Sequence, residues 1–209
     1  VLGAKLQIAA LLIAASLFAA AAAAQPGAGD LRAALGELPA ASFAEKEQIV
    51  ERLSARGDPS LRPVLAALLE NRLFVRQSDQ RIFIVTSADD TLASLELVDP
   101  VSLAAAGSAP RGDLTKIGTN NRLRARLRAL VARFGLSSAD AAVRLAAVEA
   151  MLQSLDAETV ALLRARLSVE PTAGVKDEIE IGLALAALDS GDSHARLDAI
   201  AVLAHTLRP

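Results

Sequence analysis

The chain of 209 residues has no cysteine, no tryptophan and no tyrosine, and only two histidines and one methionine. Without cysteine there are no disulfides and no thiolate metal sites. His194 and His205 are eleven residues apart and match no metal-ligand spacing such as His-Glu-x-x-His. Both read as structural or solvent-exposed side chains. Five phenylalanines supply all the aromatic content, which is 2% of the chain. Phosphate-binding Gly-x4-Gly-Lys-Ser/Thr loops and Gly-x-Ser-x-Gly nucleophile elbows are also missing. No constellation for enzyme chemistry stands out, and none for a cofactor or metal. Asp89 and Asp90 are adjacent acids in a predicted loop and read as a solvated turn. The sequence pI near 5.8 argues against a general nucleic-acid binder.

What is abundant is alanine and leucine, which dominate a hydrophobic content of 53%. Alanine loses no side-chain entropy in a helix, so closely packed short helices are expected. At the start, Lys5 precedes an apolar run over residues 6–24, and Ala22-Ala23-Ala24 offers an A-x-A exit. That order is a secretory signal, with a retained anchor as the alternative. The expected organisation is a signal at 1–24, a linker at 25–40, a first helical hairpin at 41–71, a β-hairpin insertion and loop at 72–113, and helical repeats at 114–209.

Ser42 and Glu45 form a predicted capping box, with an apolar face from Phe43 through Ile49, Val50 and Leu53. Gly57 fits a helix end, and Asp58-Pro59 a restart whose stripe is Leu61, Val64, Leu65, Leu68 and Leu69. Residues 72–76 and 81–86 are rich in β-branched and aromatic types and predict strands, with a third over 92–98. Residues 102–112 read as loop, and Asp113 as the cap of a short turn over Leu114 and Ile117. From Ala141 onward four helices are predicted, opening near Val143, Ala157, Val175 and Arg196. The first is expected to bury Val143, Ala146, Ala147, Ala150, Met151 and Leu155. Val143-Arg144 and Val175-Lys176 are 32 residues apart, a spacing suited to paired-helix repeats. The predicted fold is all-α: a HEAT-like helical solenoid with a small antiparallel β insertion.

Charge is unevenly spread. Residues 111–133 hold seven cations against the single acid Asp113, a net +6 in a chain whose total is −2, so the remainder carries −8. Leu123, Leu127, Leu130, Val131 and Phe134 share one helical face there, flanked by Arg122, Arg126 and Arg133 on one side and by Arg124 and Arg128 on the other. Lys116, Asn120, Asn121, Arg122, Arg124, Arg126 and Arg128 are the candidate partner surface. The arginines fit either a solvated face or a docking face for an acidic protein surface or lipid head groups. Asn120-Asn121 reads first as a helix N-cap.

NRLFVRQSDQRIFIV at 71–85, LVDP at 97–100 and DLTKIGTNNRLRARL at 113–127 follow one another between RGDPSLRPVLAALL and AAVRLAAVEAML. Together they resemble the extracytoplasmic N-terminal region of the urea ABC transporter permease subunit, of the branched-chain-amino-acid-type permease family. The resemblance implies an exported, periplasmic domain of an inner-membrane importer for urea or short amides. It also implies a membrane-spanning bundle outside this sequence. The implied partners are a second permease subunit, ATPase subunits and a periplasmic urea-binding protein. Within that assembly the domain is expected to be a non-enzymatic interaction or structural module. A free-standing exported scaffold that binds another protein is the alternative.

Overall fold

The computed structural model describes residues 28–206 apart from residues 88 and 90. The expected signal segment lies outside the described residues. Eight helices and one five-stranded sheet account for the described architecture. Helices and antiparallel sheet are therefore combined, and the sheet is larger than the small insertion expected from sequence.

Helix α1 spans Ala28–Glu37, inside the expected linker. Leu31, Ala34, Leu35 and Leu38 recur at helical spacing and are buried, and this burial stabilises a segment that Gly29 and Gly36 weaken. In α2 (Phe43–Ser54) the capping box is complete: Glu45 N–H donates to Ser42 Oγ at 3.3 Å and Ser42 N–H to Glu45 Oε2 at 2.7 Å. Ile49, Val50 and Leu53 are buried, but Phe43 is exposed and does not open that face. Gly57 takes φ +67 at the turn. Asp58 caps a 3-10 turn over Pro59–Leu61 before α3 (Arg62–Leu69). Leu61, Val64, Leu65 and Leu68 form the buried stripe, with Leu69 partly buried. Asn71 then adopts φ 59, a left-handed position that asparagine tolerates, and turns the chain into the sheet.

The sheet holds β1 (Leu73–Arg76), β2 (Ile82–Val85), β3 (Ser94–Val98), β4 (Ala105–Pro110) and β5 (Leu114–Lys116) in the order β4-β3-β2-β1-β5, all antiparallel. Two of these strands correct the sequence reading. β4 occupies the expected loop. Its alanines and glycine carry no strand preference of their own, and the ladder to β3 supplies the order. A register irregularity opposite Glu96 and Val98 accompanies Gly107 at φ +81. β5 replaces the expected capped turn over Leu114 and Ile117. Asp113 instead accepts Ser78 N–H and Oγ–H at 3.0 and 2.8 Å, and β5 pairs with β1, Phe74 opposite Lys116. In the β1–β2 turn Gln80 takes the positive φ of 58 that glycine usually supplies.

Alternation along the strands gives the sheet two apolar faces. Leu73, Val75, Ile82 and Ile84 join α1, α2, α3 and the later residues Leu123, Leu127, Leu130 and Phe134 in one core. Phe74, Phe83, Val85, Leu95, Leu97, Ala109 and Leu114 build a second core on the opposite face. Arg76 and Arg81 lie over the Phe83 ring at 4.5 and 5.3 Å, and Arg111 over Phe74 at 5.2 Å.

The remaining helices are α4 (Asn121–Gly135), α5 (Ala141–Met151), α6 (Ala157–Leu167), α7 (Ala173–Leu188) and α8 (Ser193–Thr206). α4 packs on α2, α3 and α5, while α7 packs on α5, α6 and α8. α5 buries Ala147, Val148 and Met151, and Ala146 and Ala150 face solvent instead. At two crossings a glycine allows close approach. A Cβ on Gly135 would stand 2.8 Å from the Ala147 Cβ, and one on Gly182 would collide with a Leu152 methyl.

Candidate interaction surface along α4

α4 begins where the sheet ends. Asn120 is its N-cap and accepts Leu123 N–H at 2.8 Å, so this half of the asparagine pair is structural. The approach to the cap is tied to α2, because Lys46 Nζ donates to the Gly118 carbonyl at 3.1 Å. Burial pushes the Lys46 pKa below its ordinary value. Leu123 and Leu127 are fully buried, and Leu130 and Phe134 nearly so, which gives α4 the core face read from its period.

The cations around that face do not form one free patch. Arg126 donates to both oxygens of Glu51 at 2.8 and 2.7 Å, and Arg122 Nε lies 2.9 Å from Glu47. Both acids are on α2, four residues apart, and match the Arg122/Arg126 spacing. That complementary i, i+4 signal was available in the sequence. Arg124 Nη1 donates to the Leu69 carbonyl at 2.8 Å and so satisfies the C-terminal end of α3. Arg133 stands 3.7 Å from Glu158 on α6 with both side chains more than half exposed. Lys116 is on the sheet rather than the helix. Asn121 and Arg128 are exposed, and Arg128 has no ion pair among the described residues. Three acids, Glu47 and Glu51 on α2 and Glu158 on α6, thus offset half of the net +6 of the sequence window.

Ala125 and Ala129 leave the outer side of α4 low between its neighbours. A groove of about 540 Å³ runs on the α2 side, lined by Glu47, Gln48, Glu51, Arg122 and Arg126 with these alanines. A second, of about 530 Å³, lies toward α5 and α6, where Arg128 and Arg133 face Asp156 and Glu158 across Met151 and Leu162. The rims of both grooves are ionic and the alanines make their floors small and apolar.

Two further polar clusters hold the scaffold. Glu170, at the turn into α7, is fully buried. It accepts Arg144 Nε and Nη2 at 2.9 and 2.8 Å, Arg166 Nε at 2.8 Å and Thr172 N–H at 2.9 Å. The Arg144 hydrogen bonds outweigh desolvation and lower the Glu170 pKa to about 2. Arg144 also donates to the Ser138 and Ala139 carbonyls at 2.9 Å, so one guanidinium fastens the α4–α5 connection to α7. With its oxygens fully engaged, this carboxylate is a clasp rather than an acid or base. The second cluster is Asp99 of the LVDP segment. It receives Val101 and Ser102 N–H at 3.0 and 2.9 Å, and Arg32 of α1 at 3.0 Å. Burial pushes its pKa up, but the hydrogen bonds from Ser102 and Val101 and the Arg32 charge outweigh it and bring the value below normal.

Among the described residues no grouping of histidine, aspartate or glutamate has the geometry to hold a metal ion. His194 pairs with Asp198 at 3.0 Å on the surface of α8, and His205 is exposed. Asp89 accepts Thr91 N–H and hydroxyl as a local turn. No helix among the described residues is long and apolar enough to cross a membrane. Comparison of the chain with models of protein families, with curated proteins and with solved structures finds no match.

Proposed function

We propose that this chain is a non-catalytic, HEAT-like docking module: the extracytoplasmic N-terminal part of the membrane subunit of an ABC importer for urea or short amides. One observation carries most of the weight. The two blocks on which the family resemblance rests, residues 71–85 and 113–127, pair through β1 and β5, and α4 follows directly. Segments distant in sequence thus make one structural unit, which supports treating them as one motif. The third block, LVDP, fastens the sheet to α1 through Asp99. Helices that pack chiefly on near neighbours in sequence support the repeat reading. In such an assembly transport chemistry belongs to other parts, and this module contributes surface.

The outer side of α4 is the part of the predicted partner surface best suited to that role. Arg128 has no ion pair among the described residues and Arg133 is loosely held, and both edge the groove toward α6. Arg124 is excluded from it by its bond to α3. The test uses the intact subunit carrying Arg128→Glu with Arg133→Glu. Uptake of labelled urea should fall while the amount of subunit in the membrane stays constant, and the assembly with its partners should become more sensitive to salt. Unchanged uptake and unchanged assembly would remove α4 from the docking surface.

A further inference from the structure

Arg62 stands where three helices meet and finds no acceptor there. It is the first residue of α3, and its stem lies against the last turn of α4. A Cβ built on Gly135 would stand 3.6 Å from Arg62 Nε and 3.6 Å from the Val143 carbonyl of α5. Arg62 Nε is shut off from solvent and has no hydrogen-bond partner, and the half-buried side chain makes no ion pair among the described residues. Every other half-buried or buried arginine among them does have an acceptor. Arg72, Arg76, Arg144 and Arg166 reach carboxylates, and Arg111, Arg124 and Arg196 reach backbone carbonyls. The site lies outside both α4 grooves and is independent of what they bind.

Withdrawing a guanidinium from water without an acceptor destabilises the chain, and arginine cannot shed its proton to escape that cost. An acceptor from outside removes it. With Nε packed into the junction, the two Nη groups remain to meet a ligand. Two parallel N–H donors match the two oxygens of a carboxylate, and one positive charge matches its one negative charge. A phosphate carries closer to two and would leave charge unmatched. A single pair at a surface holds a free carboxylate only weakly, so occupancy needs one that is tethered within a larger contact. We propose that Arg62 takes an aspartate or glutamate side chain of a partner protein between its two Nη donors.

The probes are acetyl-Gly-Glu-Gly-amide, its glutamine counterpart and inorganic phosphate. Each replaces chloride at constant ionic strength in a solution of the full chain, followed by nuclear magnetic resonance. The glutamate peptide should shift the Arg62 Nε–H and Gly135 amide signals saturably, with a dissociation constant on the order of 0.1 M. The glutamine peptide should shift neither. Arg62→Lys keeps the charge but loses the fork, and should weaken the glutamate peptide about threefold or more at the Gly135 signal. Arg62→Met keeps the stem and should abolish that shift while Tm stays unchanged or rises, because no partner within the chain is lost. Equal response to the two peptides, or no saturable response, would overturn the proposal. Phosphate binding about tenfold or more tighter than the glutamate peptide would overturn the choice of carboxylate. A fall of several degrees in Tm for Arg62→Met would overturn it too, since Arg62 would then serve the negative end of the α4 dipole.

Discussion

Replacing Glu170 with glutamine tests whether the buried clasp is a main support of the α5–α7 region. Glutamine keeps the shape but turns one oxygen into an NH2 group facing guanidinium N–H donors, and it removes the negative charge. The Arg144 side chain is only 5% exposed and would keep its positive charge while losing the carboxylate it is hydrogen-bonded to, with only the Asp140 charge left nearby. Removing one partner of such a pair costs about 3–5 kcal/mol, a large share of the roughly 5–15 kcal/mol that holds a domain folded. For a domain of this size that corresponds to a fall in Tm of roughly 6–20 °C. Urea and thermal unfolding followed by circular dichroism would measure it, with Arg126→Gln as the exposed control, expected to cost about 0.2–1 kcal/mol. The pH dependence adds a signed check. The Glu170 pKa is lowered from 4.5 to about 2 on folding. Its contribution is therefore fully present above 4.5 and is lost as the pH falls toward 2. The wild type should lose that part of its stability in this window, and Glu170→Gln should not. If Glu170→Gln and Arg126→Gln destabilise equally, the clasp reasoning is wrong.

Two other substitutions probe the packing of α4. Leu127→Ala removes a fully buried side chain from the core shared with the sheet and should cost about 2–5 kcal/mol in the same unfolding assay. Gly135→Ala puts a methyl 2.8 Å from the Ala147 Cβ and should force α4 and α5 apart at a cost of about 1–3 kcal/mol, whereas Gly112→Ala, with open space around it, should be far milder.

The elements legible in the sequence were those set by residues within a few positions of one another. Ser42 with Glu45, Gly57 with Asp58, and Asn120 each specify a helix end locally, and the leucine period of α4 names its buried face. β4 and β5 were illegible for the opposite reason. Ala105 to Pro110 has no β-branched residue, and Leu114 to Lys116 is only three residues long. Both are ordered by partners in β3 and β1, and long-range pairing leaves no local trace. α1 had its stripe in view at Leu31, Ala34, Leu35 and Leu38, but two glycines within the helix and Pro39 just beyond it resemble a linker. At the candidate surface the cations were legible and their partners were not. Whether Arg124 faces solvent or the Leu69 carbonyl depends on where α3 ends in space. Arg122 and Arg126 lose their apparent freedom once α2 lies alongside.

The most direct test of the functional account is uptake of labelled urea by cells in which the gene encoding this chain has been deleted. Uptake at low external urea should be lost, the complete gene should restore it, and a version lacking codons 28–206 should not. Uptake unchanged by the deletion would contradict it.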